Sequence, residues 1–221
     1  MSTGNSTSPL RQQIITGNRE LSPGAHLISF SRDSDFLPGQ AIKIALDNTH
    51  PPRIYSICSG NREPGVSVLF NVKKDGLLSP RLASLTPGDK ILVSEPYGSF
   101  LGNDMPAWWI AAGTGIAPFY SMYRSGLIKG KTLIHGARYL NQLYFKDELK
   151  KALAGQYIRC CSRESSGETF RGRVTSYLSQ IEKFPDVDFY ICGKAIMVVE
   201  VRDLLIAKGV PFEKINAEIY F

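Results

Sequence analysis

The chain has 221 residues, 43% of them hydrophobic and 21% charged, with a formal net charge of +6. That is room for one large domain or two small ones of ordinary globular composition. No apolar run reaches the roughly 18 residues of a membrane-spanning helix, no Lys/Arg block interleaved with aromatics suggests nucleic acid, and Cys58, Cys160, Cys161 and Cys192 lack metal-ligand spacing.

No metal and no iron–sulfur cluster is therefore expected. Adjacent Cys160 and Cys161 cannot form an ordinary bridge to each other, so free thiols in a reducing compartment are the default. Residues 1–9 are Ser/Thr-rich, with neither a basic start nor an apolar core. They read as a flexible tail on a cytoplasmic protein rather than a signal peptide. Residues 1–103 carry 10 Lys/Arg against 8 Asp/Glu, and residues 104–221 carry 16 against 12. This excess is either a mildly basic solvated surface or an attraction for anionic partners, such as a dinucleotide phosphate or an acidic carrier.

Residues 10–103 form the first predicted domain. Short apolar runs, Ala41–Leu46, Arg53–Cys58, Val66–Val72 and Lys90–Val93, are separated by Pro38-Gly39, Pro51-Pro52, Pro64-Gly65 and Pro87-Gly88. Strands of that length between such turns predict a small antiparallel β-barrel. One short helix is expected near Ser79–Ser84, with Ser79 as its cap and Pro80 in its first position. Residues 104–221 alternate differently: strand Trp108–Ala112, helix Ala117–Arg124, strand Lys131–His135, helix Phe145–Leu153, strand Tyr157–Cys161, helix Val174–Ile181, strand Val187–Cys192, helix Ala195–Lys208. That order predicts a doubly wound parallel sheet, so the fold class is a two-domain β plus α/β protein.

Six features stand out for chemistry. On the strand Arg53-Ile54-Tyr55-Ser56, Arg53 and Tyr55 share a face, an anion-seeking fork beside a flat ring. Gly76-Leu77-Leu78-Ser79 leads into a helix N-terminus, whose free amides favour an anion. Gly113-Thr114-Gly115-Ile116-Ala117-Pro118-Phe119 is a glycine turn between strand and helix, without the third glycine of the full dinucleotide fingerprint. Arg138, Ser162, Arg163, Arg171 and Arg173 fall at or near the carboxyl ends of neighbouring strands, which face one crevice and would suit a phosphate dianion. Cys192-Gly193-Lys194-Ala195-Ile196-Met197 ends the fourth strand, and Glu218-Ile219-Tyr220-Phe221 ends the chain. Taken one by one, each has an ordinary structural explanation: a half-buried strand tyrosine, a capped helix, solvated arginines, a packing cysteine.

In this order and spacing, Arg53–Ser56, Gly76–Ser79, Gly113–Phe119 and the terminal Glu-Ile-Tyr resemble the ferredoxin–NADP⁺ reductase family, and most closely its bacterial ferredoxin/flavodoxin–NADP⁺ reductases, from about residue 10 onward. The resemblance implies a barrel that binds FAD. Arg53, Ile54, Tyr55, Ser56, Leu69, Phe70, Asn71, Val72, Gly76, Leu77, Leu78, Ser79, Thr114, Tyr220 and Phe221 would contact it. Tyr220 would lie on the isoalloxazine and Phe221 toward the adenine, or the reverse. It implies NADP(H) at Gly113, Thr114, Gly115, Ala137, Arg138, Ser162, Arg163, Arg171, Arg173, Cys192, Gly193 and Met197. Ser56, Cys192, Glu218 and Tyr220 would serve hydride exchange, and ferredoxin or flavodoxin, both acidic, would be the one-electron partner of a monomeric enzyme. Two other readings stay open: the reductase component of an oxygenase or a free flavin reductase, and a non-catalytic flavin- or dinucleotide-binding redox sensor or electron-transfer subunit.

Overall fold

The computed structural model describes residues 9–220. Most of the expected tail and the expected position of Phe221 lie outside the described residues.

The first six strands are β1 (Arg11–Ser22), β2 (Ala25–Ser31), β3 (Ala41–Ala45), β4 (Arg53–Ser56), β5 (Gly65–Asn71) and β6 (Lys90–Val93). They form an antiparallel sheet in the order β4-β3-β6-β1-β2-β5. The two ends meet just past β4, where Ile57 bridges Val68 of β5 and the Cys58 N–H donates to the Ser67 carbonyl at 2.7 Å. Closure removes the exposed edges that an open sheet would leave. Alternation then fills the interior: Ile15, Ile28, Phe30, Ile42, Ile44, Val66, Val68, Phe70 and Ile91 form one buried core.

Strands β1 and β2 were not expected from the sequence. β1 carries Gln12, Gln13, Asn18, Arg19 and Glu20, and its pairing with β2 slips between Ile15 and Gly17 and again between Glu20 and Ser22. An inward Gln13, an outward Ile14 and two irregularities erase the period-2 signal. Helix α1 (Ser79–Ala83) appears where expected, but Ser79 is not its cap. Leu78 holds that position without a side-chain bond, and Ser79 is the first helical residue. The Ser79 hydroxyl instead accepts the Lys73 N–H at 2.9 Å, closing the preceding turn.

The chain changes sheets between Val93 and Ala107. Strands β7 (Ala107–Ala112), β8 (Lys131–Ala137), β9 (Tyr157–Cys161), β10 (Phe170–Arg171), β11 (Asp188–Lys194) and β12 (Ile215–Tyr220) form a parallel sheet in the order β10-β9-β8-β7-β11-β12. Helices α2 (Ala117–Arg124) and α3 (Lys146–Leu153) share a core with one face, and α4 (Val174–Ser179) and α5 (Ala195–Ala207) with the other. The winding runs outward from β7 through β8 and β9, then returns to place β11 on the other side of β7. A crevice therefore opens at the carboxyl ends of β7 and β11, the switch point where such sheets bind ligands.

One core ties the two sheets together. Ala25, Cys58, Leu69 and Phe100 of the first half pack with Trp109, Phe119 and Met122 of the second. The Ser121 hydroxyl donates to the Ser59 carbonyl at 2.7 Å, and the Asn61 N–H to the Ser125 hydroxyl at 3.0 Å. A Cβ at Gly60 would lie 2.6 Å from the Arg124 carbonyl, so glycine lets the barrel loop seat against α2. This docking brings β4 of the barrel beside β12 of the parallel sheet.

Candidate functional site

The switch point is built by close backbone approach. After β7, Gly113 turns the chain with φ +58° into a 3₁₀ turn, Gly113–Ile116, that feeds α2. Ala117 is the first helical residue and Pro118 follows it. A Cβ on Gly115 would stand 2.3 Å from the Cys192 carbonyl, so only glycine allows this turn to rest on the end of β11. Gly193 bends β11 outward at φ +156°, and the Met197 methyl sits 2.5 Å from where its Cβ would be.

Four of the side chains singled out for catalysis meet here. β11 and β12 pair in register so that Cys192 opposes Glu218 and Lys194 opposes Tyr220. The buried Ser56 hydroxyl, at the end of β4, donates to Glu218 Oε1 at 3.1 Å and accepts the Tyr220 hydroxyl at 2.7 Å. Glu218 Oε2 is buried and has no hydrogen-bond partner among the described residues. Burial raises the Glu218 carboxyl from 4.5 to about 6, against the lowering effect of the Ser56 bond. Cys192 is fully buried, and burial with the facing Glu218 carboxylate drives its thiol well above the ordinary range. Tyr220, which closes over Cys192, is likewise pushed up, first by burial. The expected hydride-side position of Cys192 thus lies under Tyr220, and anything reaching it must displace that ring.

The barrel side presents a different surface. Arg53 is exposed and Tyr55 half-buried, with burial pushing the Tyr55 phenol up to about 12. Tyr55 packs edge-on to Phe70 with ring centroids 5.9 Å apart. Leu69, Phe70, Asn71 and Val72 have different surroundings. Alternation on β5 sends Phe70 into the barrel core and Leu69 into the core shared with α2, while Asn71 is exposed and Val72 packs against the barrel core. Ile54 and Leu77 are large apolar side chains left in solvent, 61% and 70% exposed. The backbone N–H groups of Leu77, Leu78 and Ser79 have no acceptor among the described residues, while Gly76 closes its turn on the Lys73 carbonyl at 2.8 Å.

The arginines gather on one rim. Past β8 and β9, the Ser162 N–H donates to the Ala137 carbonyl at 3.1 Å and the Arg163 N–H to the Arg138 carbonyl at 2.9 Å. Arg171 pairs with Cys161 across β10 and β9, and the Gly172 N–H donates to the Cys161 carbonyl at 2.9 Å, drawing Arg173 to the same end of the sheet. Arg138, Arg163, Arg171 and Arg173 are all exposed, and none of the four pairs with a carboxylate among the described residues. Glu164, the acid nearest in sequence, accepts the Leu140 N–H at 2.6 Å instead.

Two polar groups beside this site escaped the sequence reading. Tyr97 follows a proline in a turn, and only pairing register reveals where it points. His135 is fully buried on β8 with its Nδ1 2.9 Å from the Tyr157 hydroxyl, and burial lowers it to about 3. Among the described residues no cluster of three or more His, Cys, Asp and Glu could hold a metal ion. No helix there is long and apolar enough to cross a membrane.

A closed antiparallel barrel docked on a doubly wound sheet, with buried polar side chains where they join, defines a class of two-domain nucleotide-binding redox proteins. Comparison with known proteins agrees. Residues 109–203 match the family model described as an oxidoreductase NAD-binding domain. The chain is 33% identical over 163 residues to the flavodoxin/ferredoxin–NADP reductase of Escherichia coli, covering 66% of each. It is 30% identical over 215 residues to the toluate 1,2-dioxygenase electron transfer component of Pseudomonas putida, covering 90% of this chain and 64% of that one. It thus spans a little under two thirds of both relatives. A ferredoxin NADP⁺ reductase from Neisseria gonorrhoeae, solved with bound FAD and NADP, shares the fold with a TM-score of 0.87 at 22% identity, covering 97% of this chain and 100% of that one. Together these matches support an oxidoreductase of the ferredoxin–NADP⁺ reductase family.

Proposed function

We propose that this chain is an FAD-dependent reductase that exchanges hydride with NADP(H) and passes single electrons to or from a small acidic carrier, a ferredoxin or flavodoxin. The observation that carries the NADP(H) preference is the rim of Arg138, Arg163, Arg171 and Arg173 without a carboxylate partner among the described residues. A 2′-phosphate is a dianion that guanidinium engages bidentately. An acidic residue for a bare ribose would be expected in its place for NAD(H), and Glu164 is occupied by Leu140.

The site fits the two cofactors on its own features. Glu218 Oε2 is a buried acceptor without a partner, and Gly113, with nothing within 4 Å of its Cβ position, leaves open space at the crevice. Arg53 and the free amides of Leu77, Leu78 and Ser79 would hold the FAD pyrophosphate, with Tyr55, Ser56, Thr114 and Tyr220 about its ring. When bound, FAD supplies the conversion between two-electron exchange with a nicotinamide and one-electron exchange with a carrier. The chain's own work is to orient and to manage protons. Ser56 and Glu218 form a hydrogen-bonded pair whose carboxyl titrates near pH 6, within reach of physiological proton exchange. Tyr220 covers Cys192 and must swing away for a nicotinamide to reach it, which makes it a gate.

A second reading rests on the similarity to the toluate 1,2-dioxygenase electron transfer component: the chain serves an oxygenase and takes its electrons from NADH. Stopped-flow reduction of the flavin-loaded protein by NADPH and by NADH separates the two. Strong preference for NADPH that collapses in Arg163→Ala supports the first reading. Equal use, or preference for NADH, supports the second.

A further inference from the structure

Strands β8 and β9 end in register, with Ala137 opposite Cys161, and the two loops that carry Arg138 and Arg163 stay tied beyond that point. The Ser162 N–H donates to the Ala137 carbonyl at 3.1 Å. The Arg138 carbonyl accepts both the Arg163 N–H at 2.9 Å and the Cys161 thiol at 3.1 Å. One residue on, the Arg163 guanidinium donates to the Tyr139 hydroxyl at 3.3 Å. One further, the Leu140 N–H donates to Glu164 Oε2 at 2.6 Å. Residues 137 to 140 of one loop are thus bonded in order to residues 161 to 164 of the other.

Glu164 is the odd member of this ladder. It is exposed and adjoins Arg163, so by charge alone it opposes any anion bound at the arginine rim. It nevertheless forms no ion pair among the described residues. Its carboxylate is spent on a backbone N–H, in a short, charge-assisted bond. That N–H opens the 3₁₀ turn Leu140–Gln142, and Tyr139, in the cap position, makes no side-chain bond to it. Arg138 and Tyr139, just before, are both exposed, so packing does little to fix them.

We propose that Glu164 is a positioning residue for the arginine rim: its carboxylate clamps the loop after β8 to the loop after β9 and so holds Arg138 and Arg163 in one arrangement toward the 2′-phosphate. The proposal deepens the NADP(H) reading and rests on it. Its consequence runs against charge. Removing an acid beside a phosphate site tightens binding when the acid acts only by repulsion. Losing a clamp instead frees Arg138 and Arg163, and the ligand must order them again.

The test compares 2′,5′-ADP with ADP, which lacks only the 2′-phosphate, by isothermal titration calorimetry on the FAD-loaded protein. Glu164→Ala removes both the charge and the clamp. Glu164→Gln removes the charge but keeps an oxygen that can accept the Leu140 N–H. In Glu164→Ala, 2′,5′-ADP is expected to bind roughly three- to tenfold more weakly, the order of one net hydrogen bond, with ADP binding unchanged. Glu164→Gln is expected to bind 2′,5′-ADP at least as tightly as the parent. Amide hydrogen exchange at Leu140 should quicken in Glu164→Ala and not in Glu164→Gln. Unchanged or tighter 2′,5′-ADP binding in Glu164→Ala, equal weakening of ADP, equal weakening in both variants, or unchanged exchange at Leu140 overturns the proposal. A parent that binds the two nucleotides equally overturns the rim reading, and the clamp with it. A parent that prefers 2′,5′-ADP, and keeps that preference in Glu164→Ala, overturns the clamp alone.

Discussion

The buried cluster of Ser56, Glu218, Tyr220 and Cys192 and the open rim of Arg138, Arg163, Arg171 and Arg173 hold polar groups under opposite conditions. In the cluster, Ser56 links two strands from two different sheets through bonds of 3.1 and 2.7 Å; Ser56 and Cys192 are buried, and Glu218 and Tyr220 are half-buried. In the rim, four exposed guanidiniums share one end of a sheet, and none of them pairs with an acid among the described residues. Charge interactions in the first are strong and answer to single atoms; in the second they are screened, and they add. The cluster is thus suited to chemistry that switches with a proton or a ring movement. The rim is suited to recognition that weakens by degrees.

The strongest way to break the comparison is to disturb the backbone beneath the cluster. Gly115→Ala would put a Cβ 2.3 Å from the Cys192 carbonyl, forcing the turn away from β11. Overpacking of this kind costs about 1–3 kcal/mol, and a shift near 1 Å at reacting groups can lower rates by roughly 10²-fold. Both NADPH and NADH turnover should therefore fall together, with a lowered Tm. Gly113→Ala is the control two residues away. It meets nothing within 4 Å and carries only the strain of φ +58°, about 1 kcal/mol, so rates within a few-fold of the parent are expected. Similar losses in both variants would mean that the close approach at Gly115 is not what organises the site.

The next test removes the charge and leaves the shape. Glu218→Gln should slow stopped-flow hydride transfer by about 10²-fold, the low end for a general acid–base group. It should also erase the ionisation near pH 6 from the rate profile. Ser56→Ala removes one hydrogen bond that favours the carboxylate and should move that ionisation upward while the rate falls less. Unchanged hydride transfer in both variants would remove these residues from the site.

The rim should respond differently. Arg163→Ala deletes a guanidinium that spends one bond on the Tyr139 hydroxyl at 3.3 Å and otherwise faces solvent. A hydrogen bond to a charged group is worth about 1.5–3 kcal/mol. KM for NADPH should rise by roughly 10- to 100-fold, with kcat, Tm and the NADH constants unchanged. Raising ionic strength should mimic the effect in the parent protein. A fall in kcat as well would show that the rim reaches into the chemistry.

Local grammar made the parallel sheet legible. Trp108–Ala112, Lys131–His135 and Tyr157–Cys161 are apolar runs bounded by glycine or charge, and their buried strands needed no alternation to be seen. The barrel was half legible. β3 to β6 announced themselves between proline and glycine turns, while β1 hid behind a buried Gln13, an exposed Ile14 and its irregular pairing. β12 was hidden for another reason. Its short run of exposed and half-buried residues lies on the sheet edge, and only pairing with β11 makes Glu218 oppose Cys192. The glycine turn and the arginines could be found because their chemistry sits in the sequence motif itself. Tyr97 and His135 could not, since what matters about each is a neighbour contributed by another strand.

The smallest effect concerns stability, and its sign separates the two buried titrating groups. Glu218 is raised from 4.5 to about 6, so the folded chain keeps its proton where the unfolded chain has lost it. Its contribution is full below pH 4.5 and is lost as pH rises through 6, a difference of about 2 kcal/mol by linkage. His135 is lowered from 6.5 to about 3, so the unfolded chain takes up a proton that the folded chain refuses. Its contribution is present above pH 6.5 and is lost as pH falls. The slopes oppose each other between pH 4.5 and 6.5, and the deeper shift belongs to His135, so the parent protein should weaken on acidification. Urea denaturation across that window isolates the carboxyl by difference. The stability of the parent relative to Glu218→Gln should decline by about 2 kcal/mol from pH 4.5 to 7. A flat difference would mean that Glu218 titrates in the fold as it does in the open chain, and that the cluster is wetter than its burial indicates.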